Sequence, residues 1–272
     1  MRFAFFRKNS ARPVSVCVAT DPGCIRAENE DDFYVTDIGC KPDASFSGRA
    51  AADGQDCCFF AVFDGMGREA YGAEASRIAA ETLREFSGQI IRRNTVKAQI
   101  EQFLALANQR IREMIEKNKC SRSGCTMALT VLLDGTVYPF SVGDSRIYRI
   151  SQSAIEQISE DQTLAVKKLK ANIYTEEEAR TSPDAHKITS YIGLDSRGAG
   201  VSFHAYTPFT LADDILLLCS DGLTDMCSDE EIQAVFAGGN SSAAANALVE
   251  LARQNGGEDN ITCITVNAMK GR

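Results

Sequence analysis

Two rhythms of apolar and polar residues alternate along this chain, and they predict its elements. Val14 to Ala19 alternates with a period of two and reads as a first strand. It runs into the turn Thr20-Asp21-Pro22-Gly23 and then the acidic cluster Glu28-Asn29-Glu30-Asp31-Asp32. Phe33 to Ile38 reads as a second strand, and the Gly-, Ala- and Asp-rich stretch 39–56 as a hairpin loop. Phe59-Phe60-Ala61-Val62-Phe63 is a continuous apolar run, hence a buried strand, and it stops abruptly at Asp64-Gly65. Beyond Gly67 the period becomes helical. Ala79, Leu83, Phe86 and Ile90 share one face, as do Val96, Ile100, Phe103, Ala107 and Ile111. Two amphipathic helices joined near Arg92–Asn94 are expected to lie side by side on a sheet.

From Gly124 strands return: Thr126 to Leu133, a turn at Asp134-Gly135, Val137 to Val142, then Ile147 to Ile150 and Ile155 to Ile158. This block reads as an antiparallel meander with a tight connection at Gly143–Arg146. Residues 161–185 are polar and helix-prone, with few apolar anchors, and read as a surface flap. Val201, Phe203 and Ala205 alternate with Ser202, His204 and Tyr206, which turns His204 toward the surface or rim. Ile215 to Cys219 is a second continuous apolar run, and it too ends at an Asp-Gly pair, Asp221-Gly222. Ser228 and Glu231 form a capping box for a short helix. An Ala/Leu-rich helix over 241–254 closes at Gly256-Gly257, and Ile261 to Val266 is the last strand. Strands, a helix pair, strands again and terminal helices make an α+β order rather than a doubly wound one.

Composition narrows the picture. The length of 272 residues, 44% hydrophobic and 24% charged, suits one soluble domain, set at 13–269 behind a basic tail at 1–12. The net charge of −8 argues against nucleic acid as a partner. No apolar stretch predicts a membrane span. The ten cysteines lack the framework of a short secreted chain and read as free thiols of a cytoplasmic protein. A zinc site is not expected: there is no Cys-x-x-Cys pair, and His186 and His204 are the only histidines.

The candidate chemistry lies in acidic turns and strand ends: Glu30-Asp31, Asp64, Asp221 and Asp259. A carboxylate at the tip of a buried strand is rigid, as a hard cation requires, and a glycine beside it lets the backbone carbonyl approach too. Carboxylates brought together repel strongly, so convergence demands cations, and an all-oxygen donor set selects magnesium or manganese. No Cys-x5-Arg loop points to cysteine phosphatase chemistry.

In order along the chain stand RAENED, VFDGMG, GCTMAL, SVGDSRIYRI, EDQTLA, TEEEARTSP, ITSYIG, LLLCSDGLTD and GEDNITCITV. In these motifs and their spacing the sequence resembles the metal-dependent protein phosphatases of the PPM family, the type 2C serine/threonine phosphatases, in a bacterial form. The resemblance implies a four-layer α/β/β/α sandwich of two antiparallel sheets flanked by helices, with a binuclear Mg²⁺ or Mn²⁺ centre at one end. It implies that Asp64 bridges both ions, that Gly65 lends its carbonyl to the second, and that Asp221 and Asp259 complete the first. Glu30 and Asp31 would hold the second ion, Arg26 would clamp the phosphate, and Asn260 would support Asp259. Asp144 would serve a third, weaker ion. The implied activity is hydrolysis of phosphoserine and phosphothreonine in proteins, targets of a Ser/Thr kinase, by a metal-bridged hydroxide. The rival readings are a silent phosphoprotein-binding or sensor domain on the same fold, and a stress-response phosphatase dedicated to one regulatory phosphoprotein. Three positions depart from the family pattern: Arg68 replaces a glycine, Met66 a histidine acid found in many eukaryotic relatives, and Gln162 a histidine before the flap.

Overall fold

A computed structural model of the chain describes residues 14–36, 38–41, 48–54 (backbone only), 57–67, 71–88, 92–120, 122–195, 200–237 and 243–268. The expected tail at 1–12, Arg68 and Ile90 lie outside the described residues.

One antiparallel sheet contains β1 (Val14–Asp21), β4 (Gly48–Gly54), β10 (Arg146–Ile150), β11 (Ile155–Gln157), β14 (Ile215–Cys219) and β15 (Ile261–Ala268). Its order is β11-β10-β14-β15-β1-β4. The second contains β2 (Asp32–Val35), β3 (Gly39–Cys40), β5 (Cys57–Phe63), β8 (Met127–Leu133), β9 (Thr136–Val142), β12 (His204–Ala205) and β13 (Phe209–Thr210). Its order is β12-β9-β8-β5-β2-β3, with β13 also on β9. A small ladder joins β6 (Gly65–Gly67) to β7 (Ser123–Cys125). The helices are α1 (Tyr71–Ser87), α2 (Val96–Asn118), α3 (Leu164–Lys170), α4 (Glu176–Thr181), α5 (Asp221–Thr224), α6 (Asp229–Ala237) and α7 (Ala244–Gln254). No helix among the described residues is long and apolar enough to cross a membrane.

The continuous apolar runs now have a physical reason. Phe60 and Val62 of β5, Leu216 and Leu218 of β14, and Ile264 and Val266 of β15 fill the layer between the sheets. The alternate residues of β5, Phe59, Ala61 and Phe63, pack outward against Ala79, Leu83, Ile100 and Phe103 of α1 and α2. Leu217 and Cys219 do the same against Leu248 and Ala252 of α7. Each of these central strands is buried on both faces, so it carries no polar alternation. The result is helices, sheet, sheet, helices, as the motif resemblance implies.

Three expectations are corrected. The stretch 39–56 is no simple loop: β3 pairs with β2, and β4 pairs with β1 along Val14↔Gly54 to Thr20↔Gly48. Its Gly/Ala/Asp composition hides a strand held by backbone ladder bonds at a sheet edge, where side-chain preference decides little. The block from Met127 to Gln157 is not one meander either. β8 and β9 belong to one sheet, β10 and β11 to the other, and the chain crosses over at Gly143–Ser145. The second strand also ends earlier than expected, at Val35.

Candidate metal centre

The crossing of two sheets sets the site. Asp64 follows the last residue of β5, and Asp221 follows β14 by one residue, so each sheet delivers one carboxylate to the same end of the sandwich. Both tips are sealed by close approach. A Cβ on Gly65 would lie 2.4 Å from the carbonyl oxygens of Glu30 and Gly72, and one on Gly222 would lie 2.1 Å from the carbonyl oxygen of Asn260. Only glycine lets these segments meet. Ser76 of α1 donates to the Glu30 carbonyl at 2.5 Å, which fixes the acidic cluster against the first tip.

Asn260 ties this cluster to the last turn. Its Oδ1 accepts from the Glu30 N–H at 2.8 Å, and its Nδ2 donates to the carbonyls of Pro22 (3.0 Å) and Glu28 (2.9 Å). Its own N–H donates to Asp259 Oδ1 at 2.8 Å. One side chain therefore positions Glu30 while its backbone orients Asp259. Asp31 is fully buried behind them. The Ser220 hydroxyl donates to its Oδ2 at 2.8 Å, whereas Oδ1 has no hydrogen-bond partner among the described residues.

The electrostatics reflect this crowding. Burial, reinforced by Asp221, Asp31 and Asp144, pushes the Asp64 carboxyl well above the usual range. Burial, reinforced by Asp144 and Asp225, does the same to Asp221. Each lies at the floor of the cleft among other carboxylates, and that crowding adds to burial in favouring its protonated form. Burial raises Asp31 to about 6, and burial with the neighbouring Asp161 raises Asp144 to about 7. Glu30 is raised by burial, against the pull of Arg26.

A cleft of about 800 Å³ opens over these groups and is lined by Arg26, Glu30, Asp64, Asp144, Asp221 and Asp259. Gly65 lines it as well, and Asp31 lies beneath. Arg26 donates to Asp259 at 2.6 Å, so the guanidinium and the carboxylate satisfy each other across the mouth. Three cleft residues escaped the sequence reading. Arg122 lies over the Tyr191 ring at 5.2 Å, Lys187 donates to Asp184 at 2.8 Å, and His186 Nδ1 sits 3.4 Å from Asp225 Oδ2. None stands at the end of an apolar run, so no periodicity marks them. Lys41 also escaped: it is buried and donates to the carbonyls of Asn29 and Asp31, bracing the acidic loop from below. His204 lies apart, in a separate recess, with Nδ1 3.2 Å from the Tyr206 hydroxyl.

Gln162, the departure before the flap, is an internal clamp. Its Oε1 accepts from the Gly143 N–H at 2.8 Å, its N–H donates to the Gly143 carbonyl at 2.8 Å, and its Nε2 donates to Ser202. It thus fixes the loop that carries Asp144. The flap itself is tied more tightly than its composition suggests. Thr175 and Glu178 form a capping box, and Lys168, Lys187 and Tyr174 all donate to Asp184.

The donor set fits hard divalent ions. The groups are carboxylates and carbonyls on rigid tips, and they include the unsatisfied buried oxygen of Asp31. Burial, with crowding by like charge, raises the proton affinity of Glu30, Asp31, Asp64, Asp144 and Asp221, and bound cations would offset that crowding. Among the described residues, no three acidic, histidine or cysteine side chains already form a complete cation cage. Closing one requires Asp259 to turn from Arg26.

Comparison with known proteins gives the same family. Residues 41–259 match the family model described as Protein phosphatase 2C. A serine/threonine phosphatase, stp, of Listeria welshimeri is 30% identical over 262 residues, covering 93% of this chain and 96% of that protein. The Streptococcus agalactiae serine/threonine phosphatase has the same fold, with a TM-score of 0.82 over 94% of this chain and all of the other at 24% identity. The catalytic domain of the phosphatase PstP, solved in complex with two manganese ions, aligns with a TM-score of 0.74 at 25% identity, over 95% of this chain and 100% of that one. The chain belongs to the protein phosphatase 2C family, the metal-dependent serine/threonine phosphatases that its motifs resemble.

Proposed function

We propose that this protein is a Mn²⁺- or Mg²⁺-dependent phosphatase that removes phosphate from serine and threonine of proteins. The observation that carries the reading is the delivery of Asp64 and Asp221, one from each sheet, into a single cleft with Arg26, Glu30 and Asp259. Two ions would be held by Asp64 between them, by Asp221 and Asp259 on one side, and by Glu30, Asp31 and the Gly65 carbonyl on the other. Asp144 would hold a third. When bound, such ions supply an activated water and positive charge against the phosphoryl oxygens. The manganese-bound PstP relative supports this choice of cofactor.

The chain's own residues perform the rest. Arg26 opens from Asp259 and presents its planar fork to two phosphate oxygens, holding the phosphoryl group in line and stabilising its charge as the ester bond breaks. Asn260 keeps Glu30 and Asp259 in register, and Ser220 keeps Asp31 from rotating. The natural substrates are phosphoproteins made by a Ser/Thr kinase in the cytoplasm, a setting that suits ten cysteines with no disulfide among the described residues. The test is hydrolysis of p-nitrophenyl phosphate and of a phosphothreonine peptide by purified protein. Added Mn²⁺ or Mg²⁺ should support both, and EDTA should abolish both. Full turnover after thorough chelation would sink the reading.

A further inference from the structure

Serine and threonine alkoxides are poor leaving groups, and their departure needs a proton at the moment the ester bond breaks. A guanidinium is no general acid in a protein, and Lys187 is engaged by Asp184. The Thr126 hydroxyl is engaged by Ser145 at 2.6 Å. Met66, next to the Asp64 tip, offers no proton at all. The one imidazole at the site is His186, at the flap's exit.

Its placement is specific. Three hollows meet at this end of the sandwich: the reaction cleft, a groove beneath the flap, and a recess beside Glu258 and Asp259. His186 and Asp221 are the two residues that line all three. Asp225 lies one helical turn beyond Asp221, its N–H donating to the Asp221 carbonyl at 2.8 Å, and its Oδ2 faces His186 Nδ1 at 3.4 Å. A carboxylate engaging Nδ1 sets the ring's orientation and leaves Nε2 as the free donor. The short helix that begins at Asp221 thereby carries one carboxylate to the floor of the cleft and another to within ion-pair distance of the ring at its lip.

We propose that His186, oriented by Asp225, is the general acid that protonates the departing serine or threonine oxygen. The inference rests on the phosphatase reading above. As the oxygen derived from water bonds to phosphorus, the ester P–O bond breaks and its electron pair stays on the amino-acid oxygen. The proton passes from Nε2 to that oxygen. The products are inorganic phosphate and a free hydroxyl, and solvent, which took the water's proton, returns one to the neutral ring.

The test separates proton donation from binding by varying only the leaving group. Wild type, His186→Ala, His186→Gln and Asp225→Asn would be compared with Mn²⁺ on p-nitrophenyl, phenyl and benzyl phosphate, with a phosphoserine peptide as the natural extreme. Glutamine can still donate to Asp225 but cannot serve as the acid. The expected loss in kcat grows as the leaving group becomes less acidic. It is smallest for p-nitrophenyl phosphate and reaches about 100-fold for benzyl phosphate and the peptide in both His186 variants. Asp225→Asn should give a smaller loss in the same order. Equal losses on all three small esters, or a change confined to the KM of the peptide, would overturn the assignment and make His186 a structural or recognition residue. Wild-type protein inactive on every phosphate ester would instead bring down the phosphatase reading and this inference with it. Wild-type activity without a graded loss brings down this inference alone.

Discussion

The two Asp-Gly tips are nearly the same in sequence, yet the backbone leaves each of them differently. After Asp64 it stays extended as β6 and is held by β7, with Gly65 pressed against Glu30 and α1. After Ser220 it coils into α5, with Gly222 pressed against Asn260. One tip is locked to the start of the chain's acidic loop, the other to its last turn. Neither holds an ion by itself. Their carboxylates meet because Phe60 and Val62 face Leu216 and Leu218 across the sandwich. The spacing of the centre is thus a property of the inter-sheet layer, and the glycines make each tip sharp enough to use it.

If the tips are equivalent partners, Asp64→Asn and Asp221→Asn should each lower Mn²⁺-dependent turnover by about 1,000-fold or more, beyond the loss of a single transition-state hydrogen bond. In EDTA the same variants should melt no lower than wild type, because each removes a charge that burial and its neighbours oppose. A variant that kept activity would break the equivalence.

The inter-sheet origin of the spacing can be separated from plain stability. Leu218→Ala, inside the sandwich, and Leu217→Ala, against α7, should each cost about 2–5 kcal/mol in denaturant unfolding. Only Leu218→Ala should also weaken Mn²⁺ affinity, measured by activity titration under conditions where both are folded. Equal metal affinities would move control of the spacing elsewhere.

A smaller effect is expected with pH. Asp31, raised to about 6, and Asp144, raised to about 7, bind protons more tightly folded than unfolded. Their contribution is therefore fully present below about pH 4 and is lost as pH rises through about 6 to 7. Asp64 and Asp221 act in the same direction. In EDTA the melting temperature should fall by about 5 °C between pH 5 and pH 8, and Mn²⁺ should remove most of that fall. A melting temperature that rose with pH in EDTA would contradict the crowding.

The smallest effect belongs to the flap. Glu176 and Glu177 are free of the capping box, and Glu176 lines the groove beneath the flap. Converting both to Lys should alter turnover of phosphoproteins a few-fold and that of p-nitrophenyl phosphate hardly at all. Parallel changes accompanied by a lower melting temperature would assign these residues to stability.

Much of this was legible in the chain. The helix pair showed in its 3.6-residue period, and the central strands in runs with no polar interruption, since burial on both faces leaves its own signature. β4 was not legible, because a strand paired through its backbone at an edge needs no apolar pattern. The crossover at Gly143–Ser145 was not either: three residues that change sheets look in sequence like three that close a hairpin. Arg26, Glu30, Asp64, Asp221 and Asp259 were found because they lie in turns next to apolar runs or in recognisable motifs. His186, Arg122 and Lys41 reach the site from the flap's exit, a short strand's start and a loop, and only the tertiary structure brings them there.

The flap is fastened to the rest of the molecule at a narrow neck. Gln162 and Thr189 are joined there, as are Thr163 and Ile188, so the chain leaves and returns at a single point. What lies between is a cassette. Doubling its length would cost only about 0.6 kcal/mol in closure entropy, because the ends already touch. The neck, not the cassette, carries the bonds to Gly143 and so to Asp144. An engineer, or a lineage over generations, can exchange the segment from Leu164 to Ala185, stopping short of His186, and leave the neck and the loop of Asp144 as they are.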